Sequence, residues 1–261
     1  MPTGSITSYI DVAQLVLYAF WIFFFGLVFY LRREDKREGY PLESDRTERT
    51  DRITVRGFPD MPDPKVFKLR GGGTATAPRG KGDTREIRAR PVEPWPGAPL
   101  EPTGDPMLDG VGPASYAERA DVPDLTVDGR PKIVPLRVAG DFHLESRDPD
   151  PRGMEVIGAD RAVAGIVTDV WVDRSETFIR YLEVEAPTAS GPRRALLPIN
   201  FARVDGNRRQ VRVKSILARH FGQVPALKNP QQITLLEEDR IAGYYAGGNL
   251  YAEPSRMGPM P

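Results

Sequence analysis

VAQLVLYAFWIFFFGLVFYL, residues 12–31, decides how the chain is organised. Its twenty residues carry no charge, and Gln14 is the one strongly polar side chain among them. Thirteen are Leu, Ile, Val or Phe. At about 0.3–0.6 kcal/mol each, they favour insertion into a bilayer by roughly 4–8 kcal/mol before end effects. As an α-helix rising about 1.5 Å per residue the stretch spans roughly 30 Å, the thickness of a bilayer's hydrocarbon core. A cleaved signal peptide would need basic residues before the run and small residues at a cleavage site after it. Here residues 1–11 hold no Lys or Arg, and the run ends in aromatic residues followed by Arg32-Arg33. The segment is therefore expected to cross a membrane.

Working outward, Arg32, Arg33, Lys36 and Arg37 all follow the apolar run, so the positive-inside rule puts residues 1–11 outside and the bulk of the chain in the cytoplasm. The helix is expected to continue a turn or two beyond residue 31 and to stop near Gly39 and Pro41. The four basic residues face lipid headgroups, either as a solvated segment or as a site for anionic lipid. Gln14, Tyr18, Trp21 and Phe25 follow i, i+4, i+7, i+11 and form one stripe. That stripe faces either lipid or neighbouring transmembrane helices. The second reading rests on the polar groups of Gln14, Tyr18 and Trp21, which lipid satisfies poorly.

Composition narrows the function. The chain has no cysteine, which excludes disulfides, thiolate metal sites and a Cys nucleophile. Two histidines, His143 and His220, form no ligand spacing. Lys plus Arg equals Asp plus Glu at 36 each, so no overall basic field invites nucleic acid. Catalytic signatures such as HExxH, GxSxG or a dinucleotide fingerprint are missing from the sequence.

Residues 32–105 read as an extended, Pro- and Gly-rich cytoplasmic segment, either disordered or laid across a partner's surface. Within it, RGGGTATAPRGKG at 70–82 reads as a turn between two short strands. A short helix is expected over Ala114–Arg119. Residues 106–225 form the β-rich part, with strand-like runs at Ile133–Val138, Ala164–Val172, Phe178–Val184, Ala195–Leu197 and Gln210–Ile216, the last after an Asp205-Gly206-Asn207 turn. This spacing argues for a small antiparallel barrel or compact sandwich. Residues 226–261 hold a helix and tail: Thr234 and Glu237 make a capping box, and the helix is expected over Leu235–Ala246, stopping at Gly247-Gly248.

The most informative polar cluster is DRSETFIRYLE, residues 173–183. Asp173 and Glu176 fall in a turn, and Arg180 and Glu183 on the strand that follows. By itself this is an ordinary charged hairpin whose surface ion pairs contribute little.

Several long motifs occur in order along nearly the whole chain: REDKREGYPLE after a single N-terminal anchor, PTGDPMLDGVGPASYAERAD, KIVPLRVAGDF, GIVTDVWVDRSE, RYLEVE, ALLPINF and ITLLEEDRIAGYYAGGNLYA. Together they resemble the H subunit of the purple-bacterial photosynthetic reaction centre. The resemblance implies a single-pass subunit of the photosynthetic inner membrane, with a periplasmic N-terminus and a cytoplasmic PRC-type barrel followed by a C-terminal helix. It implies no pigment on this chain. Bacteriochlorophyll, bacteriopheophytin, quinones and non-haem iron belong to two partner subunits, with the core light-harvesting ring and membrane lipid as further neighbours. It also implies a part in carrying protons to the secondary quinone. Glu176 matches the family's buried glutamate near that quinone, Asp173 a neighbouring acid, and Arg180 and Glu183 polar partners. Some members carry a histidine pair at the proton entry just before the KI motif. Asp128 and Arg130 stand there instead, which leaves Asp124 and Asp128 as substitutes. Two other readings compete: a membrane-tethered barrel that binds RNA or protein, and a membrane-anchored hydrolase using Asp or Glu.

Overall fold

The computed structural model describes Gly4 and residues 11–38, 58–77, 85–95 and 97–258. Two compact units emerge, residues 1–85 with 93–98, and residues 86–92 with 99–261.

In the first unit, α1 spans Val12–Asp35, and Asp11 caps it by accepting from the Gln14 amide at 2.7 Å. It continues one turn past the apolar run, as Arg32, Arg33 and Glu34 are good helix formers. Among the described residues it is the one helix long and apolar enough to cross a membrane, with mean hydropathy 2.2 and no buried residue. A hairpin follows, β1 (Lys65–Lys68) against β2 (Thr74–Ala77), in register from Lys65 opposite Ala77 to Lys68 opposite Thr74. The turn is thus shorter than expected: Gly72 and Gly73 take positive φ, and TATA, with its β-branched threonines, is strand. Residues 39–57 and 78–84 lie outside the described residues, so the expected stop at Gly39 and Pro41 does too.

The second unit is mainly β. A small ribbon pairs β3 (Ala89–Pro91) with β4 (Leu100–Pro102), and the short helix α2 is Pro106–Asp109. The helix expected over Ala114–Arg119 is absent: Gly112–Ala114 makes one 3-10 turn, and the helical signals lie earlier. Asp105 caps α2, Pro106 starts it and Gly110, at φ 70°, ends it.

The main sheet runs β10 (Ala202–Asp205), β11 (Gln210–Val213), β6 (Glu155–Ile157), β7 (Val163–Asp173), β8 (Phe178–Thr188) and β9 (Gly191–Pro198), with β5 (Ile133–Pro135) also pairing with β7. Pairing is antiparallel throughout except between β11 and β6. The sheet curls into a half-barrel. Strand β7 is its spine, with β6 and β5 along one edge and β8 along the other. Gly165 allows the closest approach, since a Cβ there would overlap the Glu185 carbonyl on β8. The run expected as strand over Ile133–Val138 leaves the ladder after Pro135, which has no N–H, and turns into a 3-10 helix at Leu136–Val138. Strand β10 escapes a sequence reading because arginine interrupts its four residues.

Helix α3 covers Leu235–Tyr251 and begins at the expected capping box: Thr234 Oγ1 accepts from the Glu237 amide at 3.1 Å, and Glu237 accepts from the Thr234 amide at 2.9 Å. It does not stop at Gly247-Gly248. Those glycines are buried inside the helix and serve packing. A Cβ at Gly243 would stand 2.6 Å from the Ala114 carbonyl, and one at Gly247 2.5 Å from the Ala114 Cβ. Tyr244 and Tyr245 fill the core beside Phe221, Leu197 and Ile216. Overlap with backbone costs about 1–3 kcal/mol, against about 1 kcal/mol gained in helix propensity. Gly243→Ala is therefore expected to lower the urea unfolding midpoint of the detergent-solubilised chain, followed by tryptophan fluorescence. A variant as stable as the parent would show that α3 does not need this close approach.

Candidate functional site

Lys132, just ahead of β5, is the centre of the polar end of the half-barrel. Its backbone is pinned on both sides: its N–H donates to the Asp124 carbonyl at 2.8 Å and its carbonyl accepts from the Arg174 amide at 2.9 Å. The bridge between Pro123 and Thr234 sets Asp124 beside the start of α3. At the far end of β7, Asp173 opens the turn into β8. Its Oδ1 accepts from the amides of Ser175 (2.9 Å) and Glu176 (3.0 Å), while Thr177 takes φ 59° to close the turn. That turn points Glu176 outward.

The side chains then converge. Lys132 Nζ lies 3.5 Å from Glu176, 3.6 Å from Asp173 and 3.7 Å from Asp124. Arg180 Nε donates to Asp173 at 3.2 Å, with its guanidinium 4.7 Å over the Phe178 ring. Exposure grades outward through the cluster: the Asp173 side chain is wholly buried, whereas those of Asp124 and Glu176 are 48% and 53% exposed. Burial works against charge on Asp173, but the two backbone amides and the cations of Lys132 and Arg180 outweigh it and hold the carboxyl below its ordinary value. Burial also opposes charge on Lys132, and the field of Asp173 with the hydrogen bond to Glu176 overcomes it, raising the ammonium's affinity for its proton. Asp173 and Lys132 are thus a fixed ion pair, with Asp124 and Glu176 at its wetter rim.

Of the residues singled out in the sequence, Asp124, Asp173, Glu176 and Arg180 come together. Asp128 does not: it sits on an exposed turn 3.8 Å from Arg130. Glu183 does not either: a register shift leaves Arg180 unpaired in the β7–β8 ladder, and Glu183, opposite Asp169, meets Arg137 and Trp171 instead. It is buried, accepting from the Trp171 indole at 3.0 Å and from Arg137 at 2.9 Å, and Arg137 also donates to Asp169 at 2.7 Å. Glu183, Arg137 and Asp169, with Arg152 and Arg194, line a separate cleft of about 330 Å³.

Two residues were missed from sequence, one at the centre of the cluster and one behind it. Lys132 belongs to the KI motif, and nothing local in the sequence sets it apart from its neighbour Arg130. Glu238 lies in the first turn of α3, where burial pushes its carboxyl up despite a hydrogen bond from the Tyr181 hydroxyl at 3.2 Å and the field of Arg180; Asp124 adds to the rise. Its neighbour Glu237 is used by the cap, which leaves Glu238 without a structural task and could have marked it out.

In the first unit Tyr18, Trp21 and Phe25 of the stripe on α1 are exposed, and Gln14 is half-buried. Gln14 donates to the Tyr18 hydroxyl at 2.8 Å, so these two groups partly satisfy one another within the helix, and the Trp21 and Phe25 rings stack at 5.6 Å. Of the basic residues after the anchor, Arg32 pairs with Asp35 at 3.6 Å. Lys36 donates to the Pro59 carbonyl, and Arg37 to the Asp63 carbonyl while also pairing with Glu34 at 3.0 Å. Among the described residues, no group of three or more His, Cys, Asp or Glu could hold a metal ion.

Comparison with known families finds two matches. The family described as photosynthetic reaction centre, H-chain N-terminal region, matches residues 4–138, more than half of the chain. The PRC-barrel domain matches residues 143–219.

Asp173→Asn tests the ion pair directly. The substitution leaves Lys132 and Arg180 facing an amide and is expected to cost about 3 kcal/mol of stability at neutral pH. Because the folded Asp173 titrates below its ordinary 3.8, the carboxylate's contribution is complete above that pH and lost as pH falls through the folded value. Unfolding midpoints of parent and variant should therefore converge in acid. A gap that is the same at neutral and acid pH would assign the loss to packing.

Proposed function

Since the chain belongs to the family of photosynthetic reaction-centre H subunits, we propose that it caps the cytoplasmic side of the L and M subunits, shields the quinone sites and passes protons to the secondary quinone. The family match carries the first part, association with the reaction-centre core as a membrane-anchored subunit. The observation that supports the proton role is the cluster at Lys132. Three carboxylates face two cations, Lys132 and Arg180. One negative charge is left over, and a proton is its natural counter-ion.

The residues divide the work. Asp173, held as an anion, and Lys132, held as a cation, are the fixed frame. Asp124, at a wet edge, takes protons from bulk water in place of the histidine pair. Glu176, at the tip of the β7–β8 turn, hands them on towards the core subunits. Arg180 balances Asp173 and keeps it from competing for the proton. Glu238, whose burial favours the protonated form, is a reserve behind the relay. A quinone reduced twice beneath a protein cap needs two protons, and a carboxyl placed between water and quinone can supply them in turn. Pigment and quinone chemistry stays with the partner subunits, and the core light-harvesting ring lies beyond them.

Glu176→Gln keeps size and hydrogen bonding but cannot exchange a proton. In the assembled complex it should slow the second, proton-coupled electron transfer to the secondary quinone by tenfold or more, in the range typical of losing a general acid. The first transfer should change much less, and pigment absorbance should not change. Flash kinetics with an unaltered second transfer from pH 6 to pH 9 would move the relay elsewhere.

The anchor is proposed to contribute to assembly through the Gln14–Tyr18–Trp21–Phe25 stripe. A chain lacking residues 1–38 should keep its half-barrel yet bind the L–M core more weakly in detergent. Equal affinity with and without the anchor would make that stripe lipid-facing.

A further inference from the structure

The β1–β2 hairpin is small, and β1 is exposed at all four positions. A lone two-stranded hairpin is marginal in water, so something should cover it. Alternation puts Lys65, Phe67 and, just beyond the strand, Leu69 on one face with Ala75 and Ala77; Val66, Lys68, Thr74 and Thr76 take the other. Phe67 and Leu69 are about half exposed.

The structure also fixes where this hairpin sits relative to α1, within the same compact unit. Lys65 Nζ lies 2.9 Å from Glu34, one turn past the apolar run. Lys36 and Arg37 hold the carbonyls of Pro59 and Asp63. Most telling, the Phe58 ring, 88% exposed on this chain, packs against the Phe29 ring at 5.8 Å between centroids. Phe29 is two residues inside the end of the uncharged run, roughly 3 Å along the axis. If α1 spans, Phe58 is level with the edge of the hydrocarbon, and the hairpin begins in the headgroup layer.

We propose that residues 58–69 form an interfacial anchor, with Phe58, Phe67 and Leu69 seated in the cytoplasmic headgroup region of the bilayer. The occupant of the apolar face is lipid, because three polar ties and one ring contact hold it at the level where the spanning helix leaves the membrane. Aromatic side chains favour that layer, and Lys68 and Arg70 can reach lipid phosphates from its rim. Lys36 and Arg37, expected from sequence to meet headgroups, act here as clamps that hold the anchor to the helix. The proposal rests on reading α1 as the membrane span and deepens it.

The chain has no cysteine, so single-cysteine spin labelling tests this on the full-length protein. Phe67→Cys, Leu69→Cys and Val66→Cys report the hairpin, Ile22→Cys the anchor and Val127→Cys the aqueous domain. Each is labelled with a nitroxide and compared for collision with oxygen, which favours lipid, and with a water-soluble nickel chelate. In phosphatidylcholine–phosphatidylglycerol vesicles, the oxygen-to-nickel ratio at 67 and 69 should fall between those at 22 and 127, several-fold above 127, and should exceed that at 66. It should persist in the reaction-centre complex reconstituted in the same lipid. Ratios at 67 and 69 equal to that at 127 overturn the proposal; if 22 also reads as aqueous, the membrane span itself has failed. Loss of both collision rates at 67 and 69 on assembly overturns it too, by assigning the face to a partner subunit.

Discussion

A wholly buried carboxylate, Asp173, survives at the end of β7 because two backbone amides and two cations meet it there. An unpaired charge so placed would cost several kcal/mol. The pairing therefore constrains everything around it: the Asp173–Thr177 turn must be tight, β5 must bring Lys132 alongside β7, and β8 must return Arg180 to the same corner. Arg174 adds a further tie, donating to the carbonyls of Pro131 and Val138 on either side of β5. The corner thus combines a rigid centre, Asp173 with its partners, with a wet rim at Asp124 and Glu176.

The half-barrel and α3 make that corner possible. Buried Trp171 and Leu182 fix the β7–β8 pair, and the capped start of α3 brings Glu238 and the 122–125 segment against it. The glycines along α3 let the helix press against Ala114 and Ser215 closely enough to close this side of the core. Stability and placement of the acids therefore come from the same contacts.

Much of this was legible in the sequence. The apolar run, the period-two strands and the Thr234–Glu237 capping box are local patterns, and each became the element that its pattern implies. Gly247-Gly248 misled because a glycine pair reads as a helix stop, whereas here tertiary contact demanded a missing Cβ. The helix expected at Ala114–Arg119 failed for a related reason, as Ala114 is pinned beneath α3. In the site, Asp173, Glu176 and Arg180 are close in sequence and were readable together. Lys132 and Glu238 join them only through the folding of β5 and α3, which no local pattern records. Glu183 lies apart from Arg180 because a register shift at Arg180 breaks the β7–β8 ladder between them, and no local pattern records that shift.

The most direct test of the account is the pH profile of the second electron transfer in a complex carrying Lys132→Met. Removing the ammonium leaves Asp124, Asp173 and Glu176 facing only Arg180, so the cluster should hold a proton to higher pH. The account predicts that the profile shifts to the alkaline side by about one pH unit or more, the effect expected when a charge within about 4 Å of carboxylates is removed. The first electron transfer and the pigment spectrum should remain as in the parent. An unshifted profile, with the complex intact, would contradict the claim that the Lys132 cluster handles the protons.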